Sequence, residues 1–491
     1  MVSMRSQELF TSSDLKSKID QLMDSLYSGG VNNPIDAIEQ ISYLLFLRIL
    51  SERDEQLARL DKNYKPIFSG EWSKYGWGNF VTLTGDALFD AARAAIENIH
   101  ELPNLSETGK LLFARATLKI YDRPTLRAVI QTIHSMELKP LQGIDIKGDA
   151  YEYLLSNLSM QGNAGQFRTA RHIIAMMVEM VAPQPGERIC DPACGTGGFL
   201  IAAFDHIKRT HTSKGSQTKG QNTGDELSTA QWKFLEEQAF TGFDNDANMV
   251  KVAIMNLYLH QLEKARILFY NPLTDPRHYS DRYDVILANP PFAGSIQQES
   301  ILADINLLTT STELLFCKWF IDHLTGGGRA AVIVPNGVLF ATNRAARKIR
   351  ELLLDTCELQ AVINLPPGVF KPYSGVATGV LIFKKGGATQ DVWFYDLKAD
   401  GYTLDDRRQP INKNNIPDVL AAWPERKSSV NSFLISAETI KKDSDLSLAI
   451  GRYRTIETTA IDHRDPKEIL REVVKLEKEI VSEVENLLKQ V

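Results

Sequence analysis

Apolar positions fall into three regimes along the chain. Up to about residue 155 they recur at helical spacing, as in Ile19, Leu22, Met23 and Leu26, and this stretch predicts an all-helical domain. From about residue 160 to 400, short apolar runs alternate with helical periods. The runs read as strands are Ile189, Phe240, Ile267-Leu268-Phe269, Val285-Ile286-Leu287, Ala330-Ala331-Val332-Ile333-Val334, Gln360-Ala361-Val362-Ile363-Asn364 and Thr378-Gly379-Val380-Leu381-Ile382-Phe383. Such alternation predicts an α/β domain on a parallel sheet. Near the end, Ile469, Val473, Leu476, Ile480, Val484, Leu487 and Val491 follow one another at steps of four and three among Glu and Lys. That spacing predicts an amphipathic helix with a coiled-coil-like seam and one stutter. The expected division is a helical domain over 1–155, an α/β domain over 156–410, an irregular linker over 411–465 and a C-terminal helix over 466–491. Thr210 to Gly224, polar and glycine-rich, predicts a mobile loop.

With 491 residues, 43% of them hydrophobic and 24% charged, the chain can bury a sizeable core. No apolar run approaches the roughly eighteen residues of a membrane span. The start, Met1-Val2-Ser3-Met4-Arg5-Ser6-Gln7-Glu8, carries no apolar signal region, so the expected location is the cytoplasm. Four cysteines, Cys190, Cys194, Cys317 and Cys357, are too few for a disulfide framework at this size. Cys190 and Cys194 lack a second Cys or His pair at metal-ligand spacing and read as packing residues. The formal net charge of −6, from 55 basic and 61 acidic side chains, argues against a chain that grips nucleic acid unaided. Arg344, Arg347, Lys348 and Arg350 stand close together, as phosphate contacts or as one solvated helix face.

Three motifs carry candidate chemistry. Asn289-Pro290-Pro291-Phe292 directly follows the run Tyr283 to Ala288. Its prolines remove two backbone donors and fix φ near about −65°, so the loop offers the carbonyl of Pro290 and the amide oxygen of Asn289 beside the flat face of Phe292. A planar substrate with an NH2 group can stack on that ring and donate to both oxygens, which turns the nitrogen pyramidal and frees its lone pair. Upstream, Asp191-Pro192-Ala193-Cys194-Gly195-Thr196-Gly197-Gly198 links a short strand to an apolar helix, and its glycines admit a ligand at a helix N-terminus. The spacing is not the G-x-G-x-x-G of dinucleotide enzymes, which disfavours a dehydrogenase. Asp244 closes the next strand and either accepts from ribose hydroxyls or, with Asn245 and Asp246, offers a cap to the following helix.

In that order, these motifs resemble S-adenosylmethionine-dependent amino-methyltransferases, and specifically the modification (M) subunit of type I restriction-modification systems. Gly165-Gln166-Phe167-Arg168-Thr169-Ala170-Arg171 is similar to that family's G-Q-Y/F-x-T-P-R element, and Gly148-Asp149-Ala150-Tyr151-Glu152-Tyr153-Leu154-Leu155 to the helix before it. Leu365-Pro366-Pro367-Gly368-Val369-Phe370-Lys371 is similar to its L-P-x-G-V-F segment, and Ala37 to Arg48 to its helical domain. The resemblance spans nearly the whole chain and is least specific in the last third. It implies a Rossmann-like S-adenosylmethionine-dependent methyltransferase domain with an N-terminal all-helical domain and a C-terminal helix. The implied reaction is transfer of the methyl group to the N6 amine of an adenine flipped out of DNA. In this reading Asn289, Pro290, Pro291 and Phe292 are catalytic, and Gln166, Phe167, Arg168, Thr169, Ala170, Arg171, Asp191, Gly195, Thr196, Gly197, Gly198, Asp244 and Asn271 hold the cofactor. No metal is implied. The implied partners are DNA, a specificity (S) subunit with two M per S, and a restriction (R) subunit.

Three places depart from the family pattern. Ala170 stands where proline is usual, Arg168 where an aromatic is common, and Tyr270-Asn271-Pro272-Leu273 where relatives carry G-D-x-L, though Asn271 retains an amide oxygen as acceptor. Two rival readings stay open: an amino-methyltransferase acting on protein glutamine or RNA, and a cofactor-binding scaffold without turnover. The C-terminal helix either folds back on its own domain or joins helices of the specificity subunit.

Overall fold

The computed structural model describes residues 13–102, 105–138, 146–160, 169–292, 294–372, 374–454, 470, 474–478 and 480. Residues 1–450 form one compact unit and 451–491 a second. Most of the predicted C-terminal seam lies outside the described residues. Within the second unit, residues 470, 474–478 and 480 are helical, and Leu470, Val474, Leu476 and Ile480 are exposed.

The N-terminal region is helical, as its periodicity requires. Ile19, Leu22, Met23 and Leu26 all turn inward from the helix Ser13–Ser28. The helix Pro34–Leu60 opens with Pro34 in its first turn and with Asn33, whose side chain accepts from Ile35 N at 2.9 Å, a start that satisfies a free amide. From Ala37 to Ser51 every residue of this helix is buried, because helices pack around it on all sides. One neighbour, the helix Ala247–Leu259, belongs to the α/β region: Phe46 meets Tyr258 with ring centres 4.7 Å apart, and Lys251 reaches Glu39 at 2.9 Å.

Eleven strands are described in the α/β region: β1 Ile189–Asp191, β2 Phe240–Asp244, β3 Arg266–Phe269, β4 Tyr283–Ala288, β5 Leu324–Pro335, β6 Cys357–Asn364, β7 Thr378–Lys385, β8 Asp391–Asp396, β9 Asp400–Tyr402, β10 Pro410–Asn414 and β11 Ser432–Ser436. Nine form one sheet in the order β11-β8-β6-β7-β5-β4-β1-β2-β3, while β9 and β10 pair separately. Strand order reverses between β1 and β4, which are parallel neighbours. Ligands of open α/β sheets bind at such a reversal, outside the carboxyl ends of the strands.

The expectation of a parallel sheet is corrected at two strands, since β11 lies antiparallel to β8 at the edge and β7 is reversed inside the sheet. β7 runs antiparallel to both β5 and β6, since the short segment between β6 and β7 turns back at the carboxyl edge, where Leu365 N bonds Thr378 O at 3.0 Å. The supposed irregular linker is also structured: Ile416–Ala422 is helical and β11 adds the outermost strand against β8. Nor is Thr210–Gly224 a plain loop. It contains the helical turn Lys214–Gln217 and is laced by Ser213 and Ser216 hydroxyls donating to Asp225. Among the described residues no helix is long and apolar enough to cross a membrane.

Candidate active site

β1 delivers Asp191 to the carboxyl edge, and the chain then turns into the helix Gly198–Thr210. Two glycines make this turn possible for different reasons. Gly197 sits at φ 81°, and a Cβ there would lie 2.2 Å from Leu257 Cδ1, so the turn is packed tightly from below. Gly195 sits at φ 50°, yet among the described residues a Cβ would meet no atom within 4 Å. Those residues leave the turn open above Gly195, a cradle for a ligand. Its backbone is fixed by Cys194 N on Phe243 O at 2.8 Å and by Gly195 N on Asp244 Oδ2 at 3.0 Å. From underneath, the buried Asn256 donates through Nδ2 to Thr196 O at 2.8 Å and to Glu152 Oε1 at 2.7 Å.

Asp244 also accepts from Asp246 N at 2.9 Å, whereas Asp246 accepts from Asn248 N at 2.8 Å. The capping role therefore belongs to Asp246, and Asp244 is left to the edge of the sheet. Burial pushes its carboxyl up despite these amide donors. Asp191, 1% exposed, is pushed up to about 8 by burial, with the charge of Asp244 adding to the effect. Two carboxyl groups held short of water beside an open glycine turn suit a ligand with hydroxyl and cationic groups.

Asn289 leaves β4 next to β1, where Cys190 and Ile286 are in register. Its Nδ2 donates to Thr169 Oγ1 at 2.8 Å, while its Oδ1 is buried and has no hydrogen-bond partner among the described residues. Pro290 is buried, Pro291 exposed and Phe292 half-buried. The Phe292 ring meets Phe370 edge-on, with centres 5.6 Å apart and planes at 75°, so the two L-P-P-G-V-F and N-P-P-F segments share one aromatic corner.

Of the other expected ligand residues, Gln166, Phe167 and Arg168 lie outside the described residues. Ala170 precedes the helix Arg171–Val181 at φ −60°. Arg171 turns to the helical region, pairing with Glu152 at 3.0 Å and approaching Asp149 at 3.9 Å. Asn271 spends its Oδ1 on Leu273 N at 3.1 Å, a local turn. Arg350, offered as a phosphate contact, is buried. It donates to the carbonyls of Val338, Ala341 and Asp445, because the segments after β5 and before residue 450 close over it. Arg344, Arg347 and Lys348 are exposed. Two residues of the site went unread as functional, Asn256 and Glu152. A lone amide inside the apolar period Val252-Ala253-Ile254-Met255-Asn256-Leu257 was the available signal, since buried amides need partners.

A reversed strand order with a glycine turn on one side and an amine-accepting Asn-Pro-Pro-Phe loop on the other defines the amino-methyltransferase class. A family model described as N-6 DNA Methylase matches residues 142–462, and one described as HsdM N-terminal domain matches residues 15–133. The chain belongs to the N-6 DNA methylase family and is a modification subunit of the type I restriction-modification kind, an adenine-specific DNA methyltransferase. It is 32% identical over 395 residues to the EcoEI methylase subunit of Escherichia coli, covering 78% of this chain and 77% of that one. The EcoKI methylase subunit of Escherichia coli strain K12 is 28% identical over 471 residues, with 90% and 84% covered. A modification subunit of a putative type I restriction enzyme from Vibrio vulnificus YJ016 superposes with TM-score 0.68 at 26% identity, covering 87% of this chain and 93% of that one. A chain of a type I R-M system described for its complex assembly and conformational transition gives 0.71 at 27%, with 97% of each chain covered.

Proposed function

We propose that this chain binds S-adenosylmethionine over the glycine turn and methylates an adenine flipped out of DNA, with the target sequence read by a separate specificity subunit. One observation carries the reading. The Asn289 amide is already oriented, its nitrogen bonded to Thr169 and its oxygen buried without a partner, and an unmet buried acceptor costs free energy unless a ligand donor meets it. The exocyclic amine of adenine is such a donor.

The cofactor fits the residues present. The open side of Gly195 leaves room for the ligand backbone, Asp191 faces a requirement for positive charge, and Asp244 remains available to hydroxyl groups beyond its amide donors. When bound, S-adenosylmethionine supplies an electrophilic sulfonium methyl. This chain's share is positioning. Asn289 Oδ1 and the Pro290 carbonyl accept from the adenine amine and turn its lone pair forward. Phe292, braced by Phe370, stacks on the base and offsets a flipping cost on the order of a few kcal/mol. No base strong enough to deprotonate a neutral amine is required, because attack precedes proton loss. Rate comes from alignment.

The net charge of −6 supports sharing the DNA with a partner, two modification subunits per specificity subunit being the arrangement we propose, with a restriction subunit joining them. The site lies in a cytoplasmic enzyme on this reading. Labelled S-adenosylmethionine and DNA, incubated with the chain with and without its specificity-type partner, should give N6-methyladenine only with the partner. Asn289→Ala should abolish transfer and leave cofactor affinity within about twofold, since one lost acceptor hydrogen bond is felt by the base alone. Label on a protein glutamine or on RNA instead would replace this reading.

A further inference from the structure

We infer that the ribbon of β9 and β10 is the edge by which this subunit grips DNA phosphates, with Arg407 and Lys413 holding the backbone beside the point where the adenine leaves the duplex. This assignment rests on the reading of the chain as a DNA methyltransferase and names the surface that meets the duplex. β6 and β8 run parallel, with Asn364 in register with Asp396, so the chain leaves β8 at the carboxyl edge of the sheet, where ligands bind. The ribbon that follows is tied down at both ends. At its base Asp400, fully buried, bonds His172 at 2.9 Å, and Tyr402 stacks on the same ring with centres 4.6 Å apart. His172 lies three residues after Thr169, the partner of Asn289 Nδ2. At its tip a Cβ on Gly368 would lie 2.7 Å from Leu404 O, and Lys371 pairs with Asp406 at 3.5 Å. Gly368 and Lys371 flank Phe370, whose ring meets Phe292. The ribbon is thus fixed to the two segments that border the acceptor loop.

Its charges are sorted. Over 398–414 four bases, Lys398, Arg407, Arg408 and Lys413, face three acids, Asp400, Asp405 and Asp406, the reverse of the balance in the whole chain. The acids are engaged within the fold. Asp400 also accepts from Arg408, and Asp406 pairs with Lys371. Asp405 Oδ1 closes the turn, taking Thr403 Oγ1 at 3.0 Å, Arg407 N at 2.9 Å and Arg408 N at 3.2 Å. Lys398 pairs with Asp396. Arg407 and Lys413 differ from these: both are exposed, and among the described residues neither side chain makes an ion pair or a hydrogen bond. Asp405 feels the charge of Arg407 without pairing with it. Every residue of β10 is exposed, which keeps Lys413 clear of the body of the protein. A two-stranded ribbon is slim enough to lie against a duplex, and phosphate contacts position a protein without reading sequence. A subunit of net charge −6 whose partner reads the target requires that kind of contact, placed where flipping strains the backbone.

The test measures binding of target-containing duplex DNA to the complex with the specificity subunit, by fluorescence anisotropy across a salt series. It compares wild type with Arg407→Gln plus Lys413→Gln and with Arg407→Lys plus Lys413→Arg. The glutamine pair should bind about tenfold or more weakly at low salt, and its slope of log affinity against log salt should be shallower by about 1.8, or about 0.9 per lost phosphate contact. KM for DNA should rise in step, while cofactor affinity and melting temperature stay as in wild type. The charge-keeping pair should bind as wild type does. Wild-type affinity and slope in the glutamine pair overturn the proposal. So does weaker binding at an unchanged slope, which would mean that neither side chain meets a phosphate. Arg344→Gln plus Arg347→Gln, run alongside, locates the rival surface: if only that pair flattens the slope, the duplex lies over that helix and the ribbon is excluded. Should the glutamine pair melt early, the single variants decide, each expected to flatten the slope by about 0.9. A wild-type complex that neither binds nor methylates DNA would bring down the functional reading and this one with it. If it methylates DNA while the glutamine pair keeps the full slope, only the ribbon assignment fails.

Discussion

Asp191 holds its proton up to a pH of about 8 because burial disfavours the carboxylate. The folded-state value lies above the ordinary 3.8, so between these limits the ligand-free protein loses stability as pH rises. A cation bound beside Asp191 reverses the preference and draws the proton off. Cofactor affinity is therefore expected to rise with pH up to about 8 and then level, with up to one proton released on binding at pH 7. Calorimetry in buffers of different ionisation heat measures this, and identical heats in all buffers would refute it. At the neighbouring departure from the family, the backbone already has the shape the missing residue would impose. Ala170 sits at φ −60° and its N–H has no partner among the described residues, so Ala170→Pro should raise stability by about 0.4–1 kcal/mol, read as a small increase in melting temperature. Residue identity made Asn289 and the glycines legible. It did not reveal that Asn289 bonds Thr169, since 120 positions separate them and no local pattern joins them.

The turn after β1 combines two glycines with opposite surroundings, and their variants should separate fold from ligand. Gly197→Ala drives a Cβ into Leu257 and should lower the melting temperature by several degrees, with Leu257→Ala relieving part of the loss. Gly195→Ala meets no atom of the described residues. It should cost about 1 kcal/mol for the left-handed backbone while weakening cofactor binding at least tenfold. Equal loss of stability in both would show the turn to be packed on its open side too. Strands β1 to β7 were readable because apolar runs ended at turn residues. The direction of β7 was not, because it depends on how the 365–377 segment crosses the edge, and length alone does not choose between turning back and crossing over. β11 hid for another reason: Ser432 and Ser436 flank an apolar core of only Phe433-Leu434-Ile435, and pairing with β8 completes it.

Across the whole molecule, helical region and sheet are joined by buried charge. Glu39 accepts from Lys251 at 2.9 Å, from Lys119 at 3.0 Å and from Tyr43 at 2.7 Å. Burial raises its carboxyl, but the bond from Lys251, then that from Tyr43, outweigh burial and hold it below the usual range. Glu39→Gln leaves the half-buried Lys251 beside a neutral group and should destabilise by about 2 kcal/mol. That difference should be full at neutral pH and shrink as pH falls from the ordinary 4.5, where the unfolded chain takes up the proton first, through the lower value of the folded carboxyl; denaturant titrations at both ends check it. Sequence periodicity separated these two regions correctly in kind, yet placed a boundary where the chemistry does not divide. Glu152, from the last helix before residue 160, reaches the carbonyl under the glycine turn through Asn256 and the start of the Thr169 helix through Arg171. A recombinant that joined this sheet to the helices of a distant cousin would inherit every strand and still arrive with its cofactor turn and its acceptor amide unanchored. Exchange among such genes should succeed when the crossover falls ahead of that glutamate, and fail when it falls just behind it.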